Sequence, residues 1–484
     1  MTKTAPAKDW SQATRRWHPE AKAIGALSLL LAAAFFLGGS ARGDVASLMV
    51  LRPFAAMLVG FGLWQLQLAQ VQQHKLLLAL ALACVALPLL QLVPLPYAVW
   101  SDLPGRQQVV EIDQVAGLGK IARPLSLVPE ATLNALLSLI VPLAALILGI
   151  QLDRKARERL LPIVLGLVGV SALLAVLQTL GGPDGALYLY DISNRGSPIG
   201  LLANRNHQAV LLAMALPMLA LLATKPRKIS LFRMVGCSAG LLTLLPLILT
   251  TGSRAGAIIG LLALLSIFWI TPVTALHPAG GSSLVSKRAR NWSAAGKIGV
   301  ISLVPALVGL TIYMGRAEAW DRLQSVFHDD DLRFRILPTV AEMFVKYWPV
   351  GTGLGSFEKV FQANEPDALL SPVYMNHAHN DWLEVSLTGG LPSIGLLAAG
   401  AGIVAVSLAR QFLARRGRSA PDRLARLGLI VIVLLGIASL SDYPLRTPLL
   451  QTVFVVALLW ASCPLPQNET LTATLENHCN NGLK

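Results

Sequence analysis

Apolar blocks close to the length of a bilayer crossing recur along this sequence, and they constrain its fold more than any other feature. A transmembrane helix needs about 20 consecutive, mostly apolar residues. Twelve blocks approach that length: Ala23–Leu37, Ala46–Leu68, Leu76–Val93, Ala131–Ile150, Leu160–Leu180, His207–Ala223, Val235–Thr250, Ala255–Thr271, Ile298–Met314, Leu391–Leu408, Leu427–Leu440 and Thr447–Ala461. The second is interrupted by Arg52 and Pro53. No strand-like alternation suggests a barrel, so helix packs on helix. Only 14% of residues are charged, well below the roughly one quarter of a soluble domain. The expected fold is all-α: a polytopic membrane protein of about twelve helices. The first block lacks a small-residue cleavage site and is expected to stay as a span.

The net charge of +14 would suit a nucleic-acid binder, but its distribution points elsewhere. With the N-terminus inside, the inner segments hold 25 of the 40 basic residues and seven acids. They include Arg154, Lys155, Arg157 and Arg159 in one loop, and Arg410 to Arg426 in another. The inner balance is +18 and the outer −4, which is the positive-inside pattern. The basic excess is an orientation signal; no basic face interleaved with aromatics supports nucleic acid. Both termini are expected to be cytoplasmic. The domain reading is a basic tail at 1–22, nine spans at 23–314, an outer catalytic loop at 315–390, three spans at 391–461 and a polar tail at 462–484. Within the outer loop, helices are expected near Arg316–Phe327 and Arg333–Trp348, the second kinked or interrupted by Pro338.

The unusual polar clusters all fall on the expected outer side. Asn204-Arg205-Asn206-His207 opens one span, and Gly252-Ser253-Arg254-Ala255-Gly256 opens another. Arg333-Phe334-Arg335 precedes a glycine loop, Pro349 to Phe357, that contains Gly351, Gly353 and Gly355. His377-Ala378-His379-Asn380-Asp381 and Glu384 follow, and Ser441 to Arg446 lies between the last two spans. Arginine at a span edge is commonly a snorkelling residue. On the functional reading, two arginines at helix starts on one face would hold a pyrophosphate without any metal. The guanidinium fork matches phosphate oxygens, and helix N-termini add unpaired N–H groups. The histidines lack zinc-ligand company, and the four scattered cysteines have no metal spacing. His379 reads better as a general base, close to a helix start that would hold it firmly, with His377 looser in the loop and Asn380 orienting the base or a hydroxyl. The plain alternative makes Asp381 and Glu384 a capping pair. The glycine loop resembles a nucleotide fingerprint only superficially, since no strand–turn–helix unit surrounds it.

In order and spacing, Ala203 to His207, Gly252 to Gly256, the Pro349–Phe357 glycine loop and His379-Asn380-Asp381-x-Leu383 resemble the O-antigen ligase and polymerase superfamily of bacterial envelope enzymes. The resemblance spans roughly Pro124 to Ala461. It implies transfer of a glycan from a polyprenyl-pyrophosphate donor to an acceptor hydroxyl, without a metal or other cofactor. The acceptor would be a lipid A core, a growing polysaccharide or a protein, and the site would lie on the periplasmic side of the inner membrane. The family histidine matches His379, and the family arginines match Arg205, Arg254 and Arg335. A glutamate often found nine residues past the histidine is Thr388 here; either Glu384 takes its place or the role is absent. The expected catalytic residues are His379, Arg205 and Arg254. The expected substrate-binding set is Arg335, Asn204, Asn380, Asp381, Gly353, Gly355 and Arg446. A single displacement would invert the anomeric centre. The competing reading is an anion or solute transporter; no repeat relates the two halves, and the clusters sit at one face.

Overall fold

A computed structural model describes residues 19–224, 231–270, 335–370, 375–414 and 422–462. The expected span Ile298–Met314, the helix near Arg316–Phe327 and both tails lie outside the described residues. The chain runs α1 (Pro19–Leu37), α2 (Leu48–Gln65), α3 (Leu68–Gln73) and α4 (Lys75–Gln91). The first long loop holds α5 (Tyr97–Trp100) and α6 (Gln107–Val115) between two short strands, β1 (Pro94–Leu95) and β2 (Arg123–Pro124), paired antiparallel. Then come α7 (Pro129–Ser138), α8 (Ile140–Gly149), α9 (Arg154–Gly181), α10 (Arg205–Ala223), α11 (Leu231–Thr250) and α12 (Arg254–Ile270). Beyond these lie α13 (Leu337–Tyr347), α14 (Phe357–Gln362), α15 (Asp381–Ala414), α16 (Arg423–Ala438) and α17 (Pro448–Ala461).

The chain is a mostly helical membrane protein. Among the described residues, six helical segments are long and apolar enough to cross a membrane, and four shorter apolar helices accompany them. The block holding Arg52 and Pro53 is one continuous helix, α2. The block at Ala131–Ile150 is two helices, α7 and α8, meeting at Leu139. Pro338 stands in the first turn of α13 and starts that helix, where its missing N–H costs nothing, instead of kinking it. The expected span at Leu391 is the second part of a longer helix, α15, which begins at Asp381 and bends at Gly390 (φ 64°). A Cβ on Gly390 would lie 2.4 Å from Pro349 O, so space as well as φ requires glycine there.

The core gathers α1, α2, α8, α9, α10, α11, α12, α16 and α17. Of the most apolar stretch of α10, 78% is buried, against 6% for α15, so α10 is the central helix and α15 a peripheral one. Side chains mark two ends of the bundle. At one end, Arg154 at the start of α9 pairs with Asp422, which precedes α16. Arg157 Nη1 donates to Leu459 O near the end of α17 (3.0 Å), and Arg423 Nη1 to Thr224 O after α10 (2.9 Å). At the other end, Leu449 N donates to Gly38 O after α1 (3.0 Å), and Asp381 N to Ser439 O after α16 (2.9 Å). Basic residues read as inner collect at the first end, and the polar clusters read as outer collect at the second.

The first long loop braces the second end. Arg106 is fully buried and donates to Leu125 O (2.7 Å) and Gly351 O (3.0 Å). Gln91 donates to Thr388 O (3.2 Å) and accepts from Leu354 N (2.9 Å). Gly353 (φ 101°) lies so close to Ser126 that a Cβ would come within 2.2 Å of its Oγ. The glycine loop is therefore packed between the first loop and the bend of α15.

Candidate active site

The site forms where α10, α15 and the turn between α16 and α17 meet. Asn204 caps α10, its side-chain oxygen accepting from Asn206 N (2.8 Å). Asn380 caps α15 in the same way, accepting from Leu383 N (3.0 Å). Asp381 and Glu384 are thus released from capping and turn to other partners, contrary to the plain reading of them as a capping pair. Trp382 Nε1 donates to Gly436 O (2.9 Å), fixing α15 to α16.

Two histidine–carboxylate pairs result. His377 Nδ1 is hydrogen-bonded to Glu384 Oε1 (3.1 Å), whereas His379 Nδ1 lies 3.4 Å from Asp442 Oδ1, within ion-pair reach but not aligned as a hydrogen bond. Asp442 also accepts from Asn206 Nδ2 (2.7 Å) and lies 3.8 Å from His207 Nε2. His207 is buried, and its Nδ1 meets Thr447 Oγ1 at 3.0 Å. The Tyr443 ring sits amid the three imidazoles, with centroids 5.3 Å from His207, 4.3 Å from His377 and 5.1 Å from His379. Arg446 binds Asp381 Oδ1 (2.8 Å) and Glu384 Oε1 (3.0 Å).

Electrostatics divide these groups. Burial alone would raise the pKa of Asp442. His379, His207 and the Asn206 N–H outweigh burial and hold the carboxyl well below its ordinary range, so it stays ionised. Burial would favour a neutral Arg446, but Glu384 and Asp381 hold it firmly protonated. Among the described residues, His379 is the one non-glycine with a left-handed backbone (φ 50°). Such strain costs of order 1 kcal/mol and persists only where surrounding contacts impose it; the Asn380 cap fixes the chain immediately after it.

Arg205 and Arg254 begin α10 and α12. Those helices pack so tightly in their first turns that a Cβ on Gly256 would lie 2.2 Å from Ala209 Cβ, which sets the two helix starts side by side. Ser253 caps α12, accepting from Gly256 N (2.9 Å). Through Asn204 and Asn206 the α10 start also adjoins Asp442. Asn204, Arg205, Asn380, Asp381, His379 and Arg446 are therefore gathered at one end, with Arg254 on the neighbouring helix. Arg335 is exposed and donates to Ala368 O (3.2 Å). Gly353 and Gly355 pack against Ser126 and Ala131. His377 is not the looser histidine expected, because Glu384, one turn into α15, reaches back to its ring and to Ala378 N (2.8 Å).

Sequence reasoning gave no role to Asp442, Tyr443 or His207. Asp442 and Tyr443 were visible as polar residues between two spans, and His207 as an ionisable residue inside one, which is a functional signal by itself. Their convergence depends on contacts across more than 200 positions.

Set against known families, the chain matches the O-antigen ligase family over residues 239–398. The matched segment carries Arg254, the glycine loop, His377, His379 and Glu384, and it supports the resemblance to the O-antigen ligase and polymerase superfamily. No curated protein matches the chain.

Proposed function

We propose that the protein is a membrane glycosyltransferase that moves a glycan from a polyprenyl-pyrophosphate donor to an acceptor hydroxyl, at a site facing the periplasm from the inner membrane. The observation that carries this reading is the His379–Asp442 pair, held on strained backbone beside the helix starts of Arg205 and Arg254. The two guanidinium groups and helix N-termini bind the pyrophosphate. With His379 Nδ1 turned to Asp442, Nε2 is left to take the acceptor proton. The acceptor oxygen bonds to the anomeric carbon, the bond from that carbon to the phosphate oxygen breaks, and the lipid pyrophosphate departs with its electron pair. Asp442 remains ionised throughout and stabilises the imidazolium. Fixed cations facing the leaving group lower the barrier. One displacement inverts the anomeric centre, and no metal takes part.

Purified protein in liposomes with a lipid-linked glycan donor tests the reading. Transfer is expected from the wild type and is expected to be nearly absent from His379→Ala. Anion flux without glycan transfer would favour a transporter and overturn it.

A further inference from the structure

Asp442 uses its two carboxylate oxygens unequally. Oδ2 accepts from Asn206 Nδ2 (2.7 Å) and, at longer range, from Asn204 Nδ2 (3.4 Å). Oδ1 accepts from the next main-chain N–H, that of Tyr443 (3.0 Å). Oδ1 also faces two imidazole nitrogens, His379 Nδ1 at 3.4 Å and His207 Nε2 at 3.8 Å. Both nitrogens are buried, and neither is hydrogen-bonded. A carboxylate oxygen has about two lone-pair sites, and the Tyr443 N–H occupies one on Oδ1. Two imidazoles are left with one acceptor site between them, which accounts for two close approaches and no full bond.

His207 stands in the first turn of α10, directly after Asn206 and one turn from the Asn204 cap. It is 1% exposed, and its ring meets that of Tyr443 edge-on, at 90° between planes. On its far side Nδ1 lies 3.0 Å from Oγ1 of Thr447, a fully buried residue at the start of α17. A neutral imidazole carries its proton on one nitrogen or the other. With the proton on Nδ1, the Thr447 hydroxyl has to accept, and its own hydrogen is buried without an acceptor among the described residues. The bare Nε2 lone pair then faces the Asp442 carboxylate. With the proton on Nε2, the Thr447 hydroxyl donates to Nδ1 and the Nε2–H faces Oδ1. One tautomer thus removes both the orphaned hydroxyl and the lone-pair repulsion.

We infer that His207 is a positioning residue: with its tautomer set by Thr447, it shares Asp442 Oδ1 with His379 and limits how tightly the carboxylate holds a protonated His379. The inference rests on the reading of His379 as the base. When His379 takes the acceptor proton, its Nδ1–H draws Oδ1 away from His207. When that proton leaves, Oδ1 is shared again. His207 itself exchanges no proton in this cycle. The other titratable and charged groups around the cluster are His377 and Tyr443, Arg446 with Asp381 and Glu384, and Arg205 and Arg254 at the starts of α10 and α12. They act on the same equilibrium but are unaltered in the variants below, so a shift between wild type and variant reports His207.

The test is NMR of the histidine rings in the full chain, isotope-labelled at histidine and held in phosphatidylcholine nanodiscs. Signals of His207 and His379 are assigned by their loss in single variants. In the wild type at neutral pH, His207 is expected as the Nε2–H tautomer; a proton on Nδ1, alone or together with Nε2, would overturn the inference. His207→Leu removes the donor and is expected to raise the titration midpoint of His379 by about one pH unit, the worth of a hydrogen bond to a charged group. His207→Gln keeps an N–H in reach of Asp442 and is expected to restore most of that shift. A merely structural histidine would change melting or turnover with the midpoint unmoved. An unmoved midpoint in His207→Leu, or a glutamine variant shifted as far as the leucine one, therefore also overturns the inference. The wild-type tautomer needs no variant and decides the matter if His207→Leu does not fold. The acidic limb of kcat for glycan transfer is expected to move to higher pH with the midpoint. His379→Ala is assayed in parallel: normal transfer there, with the midpoint shift intact in His207→Leu, would sink the proposed function and leave the coupling of His207 to Asp442 standing.

Discussion

At the end of the bundle marked by Arg157, Arg423 and Arg426, guanidinium groups donate to main-chain carbonyls. Arg157 binds Leu152 O and Leu459 O, Arg423 binds Ile270 O and Thr224 O, and Arg426 binds Trp269 O and Gln411 O. Five of these six carbonyls close or follow helices, so the arginines satisfy groups that a helix C-terminus leaves unpaired and complement its dipole. Around the candidate site at the opposite end the charged side chains bind one another, as Arg154 and Asp422 do at the first end, but here histidines take part: Arg446 with Asp381 and Glu384, Glu384 with His377, and Asp442 with His379. Similar residue types thus serve two purposes. One end uses fixed charge to terminate helices. The other joins groups that exchange protons to groups that never do. Burial of a charge therefore does not identify a catalytic end; among the described residues it is the pairing of histidine with carboxylate that sets the second end apart.

The sharpest way to break this contrast is at His379. His379→Ala is expected to lower turnover by about 100- to 10,000-fold with donor binding retained, and Asp442→Asn by most of the same factor. His377→Ala is expected to cost about tenfold, since the imidazole of His379 survives; equal losses in the two histidine variants would remove the assignment of His379 as base. Next come the helix-start arginines. Arg205→Ala or Arg254→Ala is expected to weaken donor affinity by about 10- to 100-fold, the worth of a charged hydrogen bond, and lysine at either position should restore only part of it. At the other end, Arg157→Met leaves the carbonyls of Leu152 and Leu459 without that donor. Unfolding in detergent should show a loss of about 3 kcal/mol, with turnover per folded molecule unchanged. A catalytic defect in this variant would dissolve the distinction between the ends.

A smaller effect should appear with pH. Burial, and then the Arg157 charge, push the pKa of His74 down to about 4. Arg157 donates to its Nε2 (3.0 Å), which requires neutral imidazole. The unfolded chain takes up this proton near pH 6.5 and the folded one only near 4, so stability is full above pH 6.5 and falls progressively below it. Melting curves between pH 7.5 and 5 should show this decline in the wild type and less of it in His74→Gln. The smallest effect is expected from chelation: transfer should proceed in EDTA, and loss reversed by a divalent ion would contradict a pyrophosphate held by arginines alone.

Much of the scaffold was legible because a bilayer imposes a length and a polarity on every helix that crosses it. The starts of α10 and α12 could be placed within one or two residues from Arg205 and Arg254, where apolar sequence begins. The bend of α15 was not legible. A helix start near Asp381 was legible from its capping residues, but the bend itself comes from Gly390, whose close approach to Pro349 only the folded glycine loop reveals. In the site, His379 stood out through its chemistry and its neighbours in the chain. Its carboxylate, Asp442, lies 63 residues away on another element, and no local pattern records that meeting. The expectation of a looser His377 overlooked a nearer partner: Glu384, seven residues on, reaches back from the first turn of α15 to its ring.

The bend at Gly390 also divides α15 by how much change it can absorb. Before it, Asp381, Trp382 and Glu384 each hold a specific partner, and nearly every exchange removes one. After it, most side chains face outward, so aliphatic residues there are interchangeable as long as the hydropathy is kept. A saturation library across this one helix would therefore show a step at Gly390, from an intolerant segment to a permissive one. Gly390 itself would admit no other residue, since both its backbone angle and its distance to Pro349 forbid a side chain.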